Sequence, residues 1–125
     1  MWATLLQVAL GGALGAVARY LTGAAAIRLL GPGFPWGTLA VNVLGSFLMG
    51  VLVVVLAQLS ATRLAPFLMT GLLGGFTTFS AFSLDALTLW ERGQGTLAAL
   101  YVAASVGLSL AAIAAGLLAA RSALT

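Results

Sequence analysis

The sequence predicts an all-α integral membrane protein with four transmembrane helices, the third of them broken near its middle. Of the 125 residues, 62% are hydrophobic and 6% are charged, whereas a soluble domain carries about 25% charged residues. At about 20 residues per span, four helices use nearly the whole chain, so residues 1–125 form a single four-helix domain. A cluster of glycines and threonines inside the third apolar run predicts the break.

The charged and reactive side chains exclude most enzyme chemistry. The chain has five basic residues, all of them Arg, two acidic residues, and no His or Cys. It therefore lacks disulfides, thiolate nucleophiles and the usual general base, and we do not expect an enzyme. Because no two Arg are close in sequence, we do not expect a nucleic-acid partner either.

Helix one is predicted over residues 3–27 and carries a charge deep in an apolar segment. Gly11, Gly15 and Arg19 are each four residues apart and share one face. Small residues at this spacing let helix backbones approach closely in lipid. Arg19 either faces a cavity or a partner, as buried membrane arginines usually do, or extends along the helix to the membrane surface.

Helix two is predicted over residues 38–59, after a turn at 31–37 that is rich in glycine and proline. One face of the helix is polar or small and consists of Thr38, Asn42, Gly45 and Ser46. Asn42 is either a hydrogen-bonding contact between helices or a donor that lines a pore. We favour the pore-lining role.

Helix three is predicted over residues 64–90, with an interruption at its middle. Adjacent Gly74 and Gly75 remove side-chain constraint on the backbone, and the hydroxyls of Thr77 and Thr78 can compete with the helix for backbone hydrogen bonds. A backbone broken inside a membrane is tolerated only against protein or water, and broken helices mark ion and substrate sites in transporters. Alternatively, the glycines serve packing and the threonines bond within the helix.

Two phenylalanines follow the interruption. Phe79 and Phe82 are three residues apart, so they share a face if this part of the chain is helical, and Ser80 lies beside them. Their spacing alone favours core packing over a functional role.

Helix four is predicted over residues 96–120 and carries a row of hydroxyls. Tyr101, Ser105 and Ser109 recur at every fourth residue. They either pass an ion from site to site or bond individually to the carbonyl groups of their own helix.

The arginines leave the orientation in the membrane open. Arg63 and Arg121 lie near one side and Arg28 and Arg92 near the other, so the positive-inside count is two against two when the deep Arg19 is left out. A chain without bias can insert both ways, which makes an antiparallel dimer of identical chains possible. The close-packing glycines of helix one add support for such a dimer.

Taken together, the residues favour a passive anion pathway built from neutral donors: amides, hydroxyls and the positive edges of Phe rings. The alternative is a small four-helix, dual-topology exporter of the multidrug type. Such an exporter needs a carboxylate inside the membrane, for which Asp85 is the candidate. A structural subunit would not need the broken helix, the polar face of helix two and the hydroxyl row together.

Three stretches, in this order, resemble the CrcB/Fluc family of fluoride ion channels: GGALGAVARY at 11–20, GTLAVN at 37–42 and GGFTTFSAF at 74–82. The resemblance covers all four helices. It implies a dual-topology, antiparallel homodimer in the plasma (inner) membrane that passively exports toxic cytoplasmic fluoride through two pores. It also implies a structural sodium ion at the dimer centre.

The resemblance places individual residues along the fluoride pathway. Asn42 matches the pore-lining asparagine of the family, and Phe79 and Phe82 match the phenylalanines whose ring edges face fluoride. Arg19 matches the helix-one arginine of the family, and Tyr101 and Ser105 resemble its helix-four polar track. Ser109 is assigned to the pathway by periodicity. The remaining predicted pathway residues, from the polar faces, are Thr38 and Ser80.

The resemblance also assigns the sodium ligands, which would be the backbone carbonyls of Gly74 and Thr77. The motif contains no carboxylate, so a monovalent ion is favoured over calcium or magnesium, which usually recruit acidic ligands. Two positions depart from the family pattern. Ala81 stands where the family often has Thr, which removes a hydroxyl, and Asp85 stands where many members have Glu.

Overall fold

The computed structural model describes all 125 residues, Met1–Thr125, and its ordered elements are helices. Helix α1 spans Trp2–Leu30, α2 spans Trp36–Gln58, the third span covers Thr62–Glu91, and the last span covers Gly95–Leu124. All four are long and apolar enough to cross a membrane. The prediction of an all-helical chain with four such helices is confirmed.

The first two helices meet at a turn that fixes their ends. Gly31 follows the last residue of α1, Leu30, and its φ of 82° lies in the left-handed region that favours glycine. Helix α2 begins at Trp36, directly after Pro35, whereas the sequence predicts a start at Thr38. Each end therefore differs from its predicted position by a few residues.

The third span consists of several pieces. After a 3₁₀ turn at Thr62–Leu64, helix α3 covers residues 66–76 and is π-helical over Pro66–Leu73 and α-helical over Gly74–Phe76. Helix α4 covers Phe79–Glu91 and is followed by α5, Gly95–Leu124. The predicted break is therefore present, between α3 and α4.

The break lies at the two threonines and not at the two adjacent glycines, which corrects one expectation. Gly74 is helical, with φ −62° and ψ −38°, and Gly75 continues the helix. The extended residues are Thr77, with ψ 158°, and Thr78, with φ −155° and ψ 123°. Thr77 ends α3 by donating both its N–H and its hydroxyl to the carbonyl of Leu73, which leaves Thr78 free to leave the helical path.

The glycines of α1 pack against α3 within the same chain. A Cβ added at Gly11 would collide with the carbonyl oxygen of Phe67, and one at Gly15 with that of Leu72. A Cβ at Gly75 would lie 2.6 Å from the carbonyl oxygen of Gly12. These close contacts confirm close packing, but they are made inside one chain, so this stripe no longer supports a dimer.

Helix α5 packs against both α2 and α4. Gly50 of α2 lies against the carbonyl of Ile113, and Gly116 lies against that of Phe47. Near the loop at 31–37, Phe82, Leu89, Ala98 and Tyr101 form a buried cluster. The break lies between α1, where Gly12 contacts Gly75, and α2, where Gly45 contacts Thr77.

Candidate functional site

One side chain of α2 holds the break. The Nδ2 group of Asn42 donates to the carbonyl of Thr78 at 3.0 Å, and its Oδ1 accepts the N–H of Thr78 at 2.8 Å. Both backbone groups of an extended residue are thereby satisfied, as the interior of a membrane requires. Asn42 thus makes the contact between helices that the sequence offered as one alternative, and it also lines the groove described below.

Arg19 reaches the same break from α1. Its Nε donates to the carbonyl of Gly75 at 3.1 Å, and the half-buried side chain borders a cavity of about 390 Å³ together with Thr38 and Thr78. A guanidinium near the carbonyl end of a helix is also favoured by the helix dipole. Arg19 therefore faces a cavity and a hydrogen-bond partner at the depth of the break and does not extend to the membrane surface.

The hydroxyl of Thr78 begins the helix after the break. Its Oγ1 accepts the N–H of Ala81 at 3.1 Å and so caps α4, which is a preferred role of threonine. Ser80 is exposed, and its Oγ lies 3.2 Å from Oγ1 of Thr78. Thr78 thus connects Asn42 with α4, and it borders both the cavity beside Arg19 and the groove described below. The sequence predicts that its hydroxyl competes for backbone hydrogen bonds but does not place it in the pathway.

A groove of about 380 Å³ lies between α2, α4 and α5. The predicted pathway residues that line it are Asn42, Phe79, Phe82, Ser105 and Ser109. The Phe79 and Phe82 rings lie with their centroids 5.5 Å apart and their planes tilted by 58°. The structure therefore brings residues from three helices together at one place.

The two rings differ in their surroundings. Phe82 is 8% exposed and packs on Tyr101, with ring centroids 5.3 Å apart, whereas Phe79 is 77% exposed. Phe82 thus belongs to the core as well as to the groove wall. Phe79 leaves most of its ring uncovered by its own chain.

Ser105 supplies an unused donor in the groove. Its Oγ is buried and has no hydrogen-bond partner, whereas buried polar atoms in proteins are nearly always bonded. Its hydroxyl therefore does not bond a carbonyl group of its own helix, which was one of the two predicted roles for the hydroxyls of helix four. It is available to a ligand in the groove.

The other predicted pathway residues lie outside this groove. Tyr101 is fully buried, and its hydroxyl donates to Oδ2 of Asp85 at 3.2 Å. Asp85 borders a cavity of about 220 Å³ under the loop at 31–37, where Thr38 also lies. Arg19 and Thr38 thus line the loop side of the break, Tyr101 is in the core, and Ser80 is exposed.

The break releases the two carbonyls that were assigned to sodium. In a continuous helix the Gly74 carbonyl would accept from Thr78 and the Thr77 carbonyl from Ala81. The Thr78 N–H is instead donated to Asn42, and the Ala81 N–H to the Thr78 hydroxyl. The Gly74 and Thr77 carbonyls therefore lose their helical donors at the break. No group of three His, Cys, Asp or Glu residues is placed to hold a metal.

A helix broken inside the membrane, beside a groove of hydroxyls and aromatic rings, defines a membrane channel or transporter. The sequence pattern of the family described as CrcB-like protein, Camphor Resistance (CrcB), matches residues 6–117. The chain belongs to this family, and the predicted resemblance is confirmed.

Similar proteins from several bacteria carry a functional name. The chain is 71% identical over 121 residues to the fluoride-specific ion channel FluC of Cereibacter sphaeroides, covering 97% of each chain. It is 61% identical over 126 residues to FluC of Ruegeria sp., covering 100% of both chains, and 58% identical over 112 residues to FluC of Rhizobium etli, covering 88% and 90%. These relatives are named as channels, not as enzymes.

Proposed function

We propose that this chain is a fluoride-specific ion channel that passively releases fluoride from the cytoplasm and so lowers its toxicity. The observation that carries the proposal is the groove at the break, where the buried, unpartnered hydroxyl of Ser105 lies beside two Phe rings. A small, strongly hydrated anion needs several donors to replace its water, and hydroxyls, an amide and ring edges are such donors. The names of the relatives identify the anion.

Fluoride efflux from vesicles tests this function. Purified protein is reconstituted into liposomes loaded with fluoride, and release is followed with a fluoride electrode while a potassium ionophore balances the charge. We expect rapid fluoride release and little chloride release from matched vesicles. Equal release of both anions, or no release above protein-free vesicles, would reject a fluoride-specific channel.

The functional unit proposed here is an antiparallel homodimer in the plasma (inner) membrane. The balance of arginines between the two sides permits both orientations. The 77% exposed ring of Phe79 leaves one wall of the groove open, and a second copy can cover it. Two inverted copies give two equivalent grooves and therefore two pores.

A structural sodium ion between the two copies completes the proposal. It is supported by the carbonyls of Gly74 and Thr77, whose helical donors are diverted to Asn42 and to the Thr78 hydroxyl. Gly74 is exposed, so its carbonyl can face a second copy. When bound, sodium would supply positive charge to these oxygens, which otherwise lack partners at the centre of the membrane.

The alternative function, a small four-helix exporter of the multidrug type, has less support. The carboxylate of Asp85 lies outside the groove and accepts the hydroxyl of Tyr101. The charged side chain nearest the break is the cationic Arg19, which favours an anion.

A further inference from the structure

Helices α2 and α5 run in the same direction and are held in a fixed register. Leu39 packs on the cluster that contains Tyr101, and Gly50 packs on Ile113, so residue numbers rise together along the pair. A Cβ at Gly50 would collide with the Ile113 carbonyl. Gly50 and Ile113 therefore mark one common level of the two helices.

Moving toward the N-terminus of both helices by four residues at a time gives three further levels, each about 6 Å from the next. The first pairs Ser46 with Ser109, the next pairs Asn42 with Ser105, and the last pairs Thr38 with Tyr101. Every one of these positions has a polar side chain. The two middle levels, which comprise Asn42, Ser46, Ser105 and Ser109, line the groove described above.

Ser46 is the member of these levels that neither the sequence nor the resemblance assigned to the pathway. It is half-buried and lies on the same helical face as Asn42. The hydroxyls of Thr22, Ser83 and Thr88 donate to carbonyls four residues back in their own helices, but Ser46 makes no such bond. Its donor is therefore free for a ligand.

The chemistry of the groove changes just beyond this level. The next lining residues towards the end of the span are the apolar Met49, Leu110 and Ile113. An ion that has lost part of its water shell finds no further donors there. Ser46 and Ser109 thus form the last polar level of the groove inside one chain.

We propose that Ser46 binds the permeating anion together with Ser109 and helps to select a small, strongly hydrated halide. This inference rests on the proposed channel function. Two hydroxyls from facing helices can both donate to one small anion, whereas a larger halide gains less from each donor because its charge is more diffuse. Bonds to a charged acceptor are stronger than bonds between neutral groups.

Flux measurements on Ser46→Ala test the proposal. We expect fluoride efflux to fall about tenfold, since one bond to an ion is lost, and the fluoride concentration for half-maximal flux to rise. The fold-loss of fluoride flux in the double variant Ser46→Ala, Ser109→Ala should be smaller than the product of the two single fold-losses, because both hydroxyls bind one ion. Ser83→Ala, which removes an exposed hydroxyl bonded to its own helix, is the matched control and should behave as the unmodified chain.

A labelling experiment covers the case in which Ser46→Ala fails to fold. The chain has no cysteine, so Ser46→Cys introduces one thiol, which should react with a small water-borne methanethiosulfonate and lose flux as it does. Leu44→Cys, on another face of α2 and 51% exposed, should not react. Normal flux in Ser46→Ala, or an unreactive Cys at position 46, would overturn the proposal. Absence of fluoride flux in the unmodified chain would instead reject the channel function.

Discussion

Asn42 is the side chain on which the shape of the break depends. Its amide satisfies both the N–H and the C=O of Thr78, as a neighbouring strand would. Thr78 can then leave the helix inside the membrane with both of its own backbone groups paired. The same amide lines the groove, so the residue that shapes the break also forms part of the proposed pathway.

Removing this amide should destabilise the protein. In Asn42→Ala, two backbone groups of Thr78 lose their partners, and each such loss costs about 1–3 kcal/mol. We expect a melting temperature in detergent clearly below that of the unmodified chain. Thr22→Ala, which removes a hydroxyl that bonds its own helix, is the control and should change little. A melting temperature for Asn42→Ala equal to that of the control would contradict the structural role.

The sequence predicted some of these side chains better than others. Asn42, Ser105 and Ser109 could be recognised because helical periodicity places polar residues on one face. The hydrogen bond of Arg19 to the Gly75 carbonyl could not, because that carbonyl is free only once the break is located. The bond of the Tyr101 hydroxyl to Asp85 on another helix could not be recognised either, because single-helix periodicity carries no information on such pairs. The pathway role of Tyr101 stays a prediction.

The third span shows why the existence of a break was easier to predict than its position. Glycines lower helix propensity, but Gly75 is helical and packs directly on Gly12. The extended residues are the β-branched Thr77 and Thr78, whose side chains bond the helix ends on either side. The π-helical turn over Pro66–Leu73 was not predicted, because its apolar sequence does not distinguish a π-helix from an α-helix.

The packing of α1 on α3 gives a prediction with a control in the same helix. Gly15→Ala should destabilise the protein by about 1–3 kcal/mol, because its Cβ would collide with the Leu72 carbonyl. Gly12→Ala has no atom within 4 Å of its added Cβ and should be tolerated. Thermal unfolding in detergent compares the two, and equal melting temperatures would show that α1 and α3 are not packed this closely.

The released carbonyls of the break predict a dependence on sodium. Prolonged replacement of sodium by a large organic cation should lower fluoride flux and weaken the proposed dimer, because the carbonyls of Gly74 and Thr77 would lose the ion proposed to bind them. Returning sodium should restore both properties. Flux and dimer mass are measured by the electrode assay and by light scattering. If both stay unchanged after elemental analysis verifies sodium removal, the site does not stabilise the protein.

The arrangement of two whole chains is tested by cysteine labelling. Because the chain contains no cysteine, Ala3→Cys places a single thiol near one membrane surface. A membrane-impermeant thiol reagent added outside sealed cells should label about half of the protein, and a second reagent added after permeabilisation should label the rest. Labelling from one side alone would reject the inverted dimer.

In the proposed channel, fluoride passes the aromatic rings of the groove beside the break. Phe79→Ile tests it best, because Phe79 is 77% exposed whereas Phe82 is 8% exposed and packs on Tyr101. The substitution keeps an apolar side chain but removes the positive ring edge. Phe82→Ile should lower flux for the same reason, although it also disturbs the core.

The decisive measurement is therefore fluoride efflux from liposomes that contain either the unmodified chain or Phe79→Ile at equal amounts of folded protein. We predict rapid, fluoride-selective efflux for the unmodified chain and a loss of at least about tenfold for Phe79→Ile, with an unchanged elution profile from gel filtration. Unchanged fluoride efflux in a folded Phe79→Ile protein would contradict this pathway, because fluoride would then not depend on the ring edge in the groove.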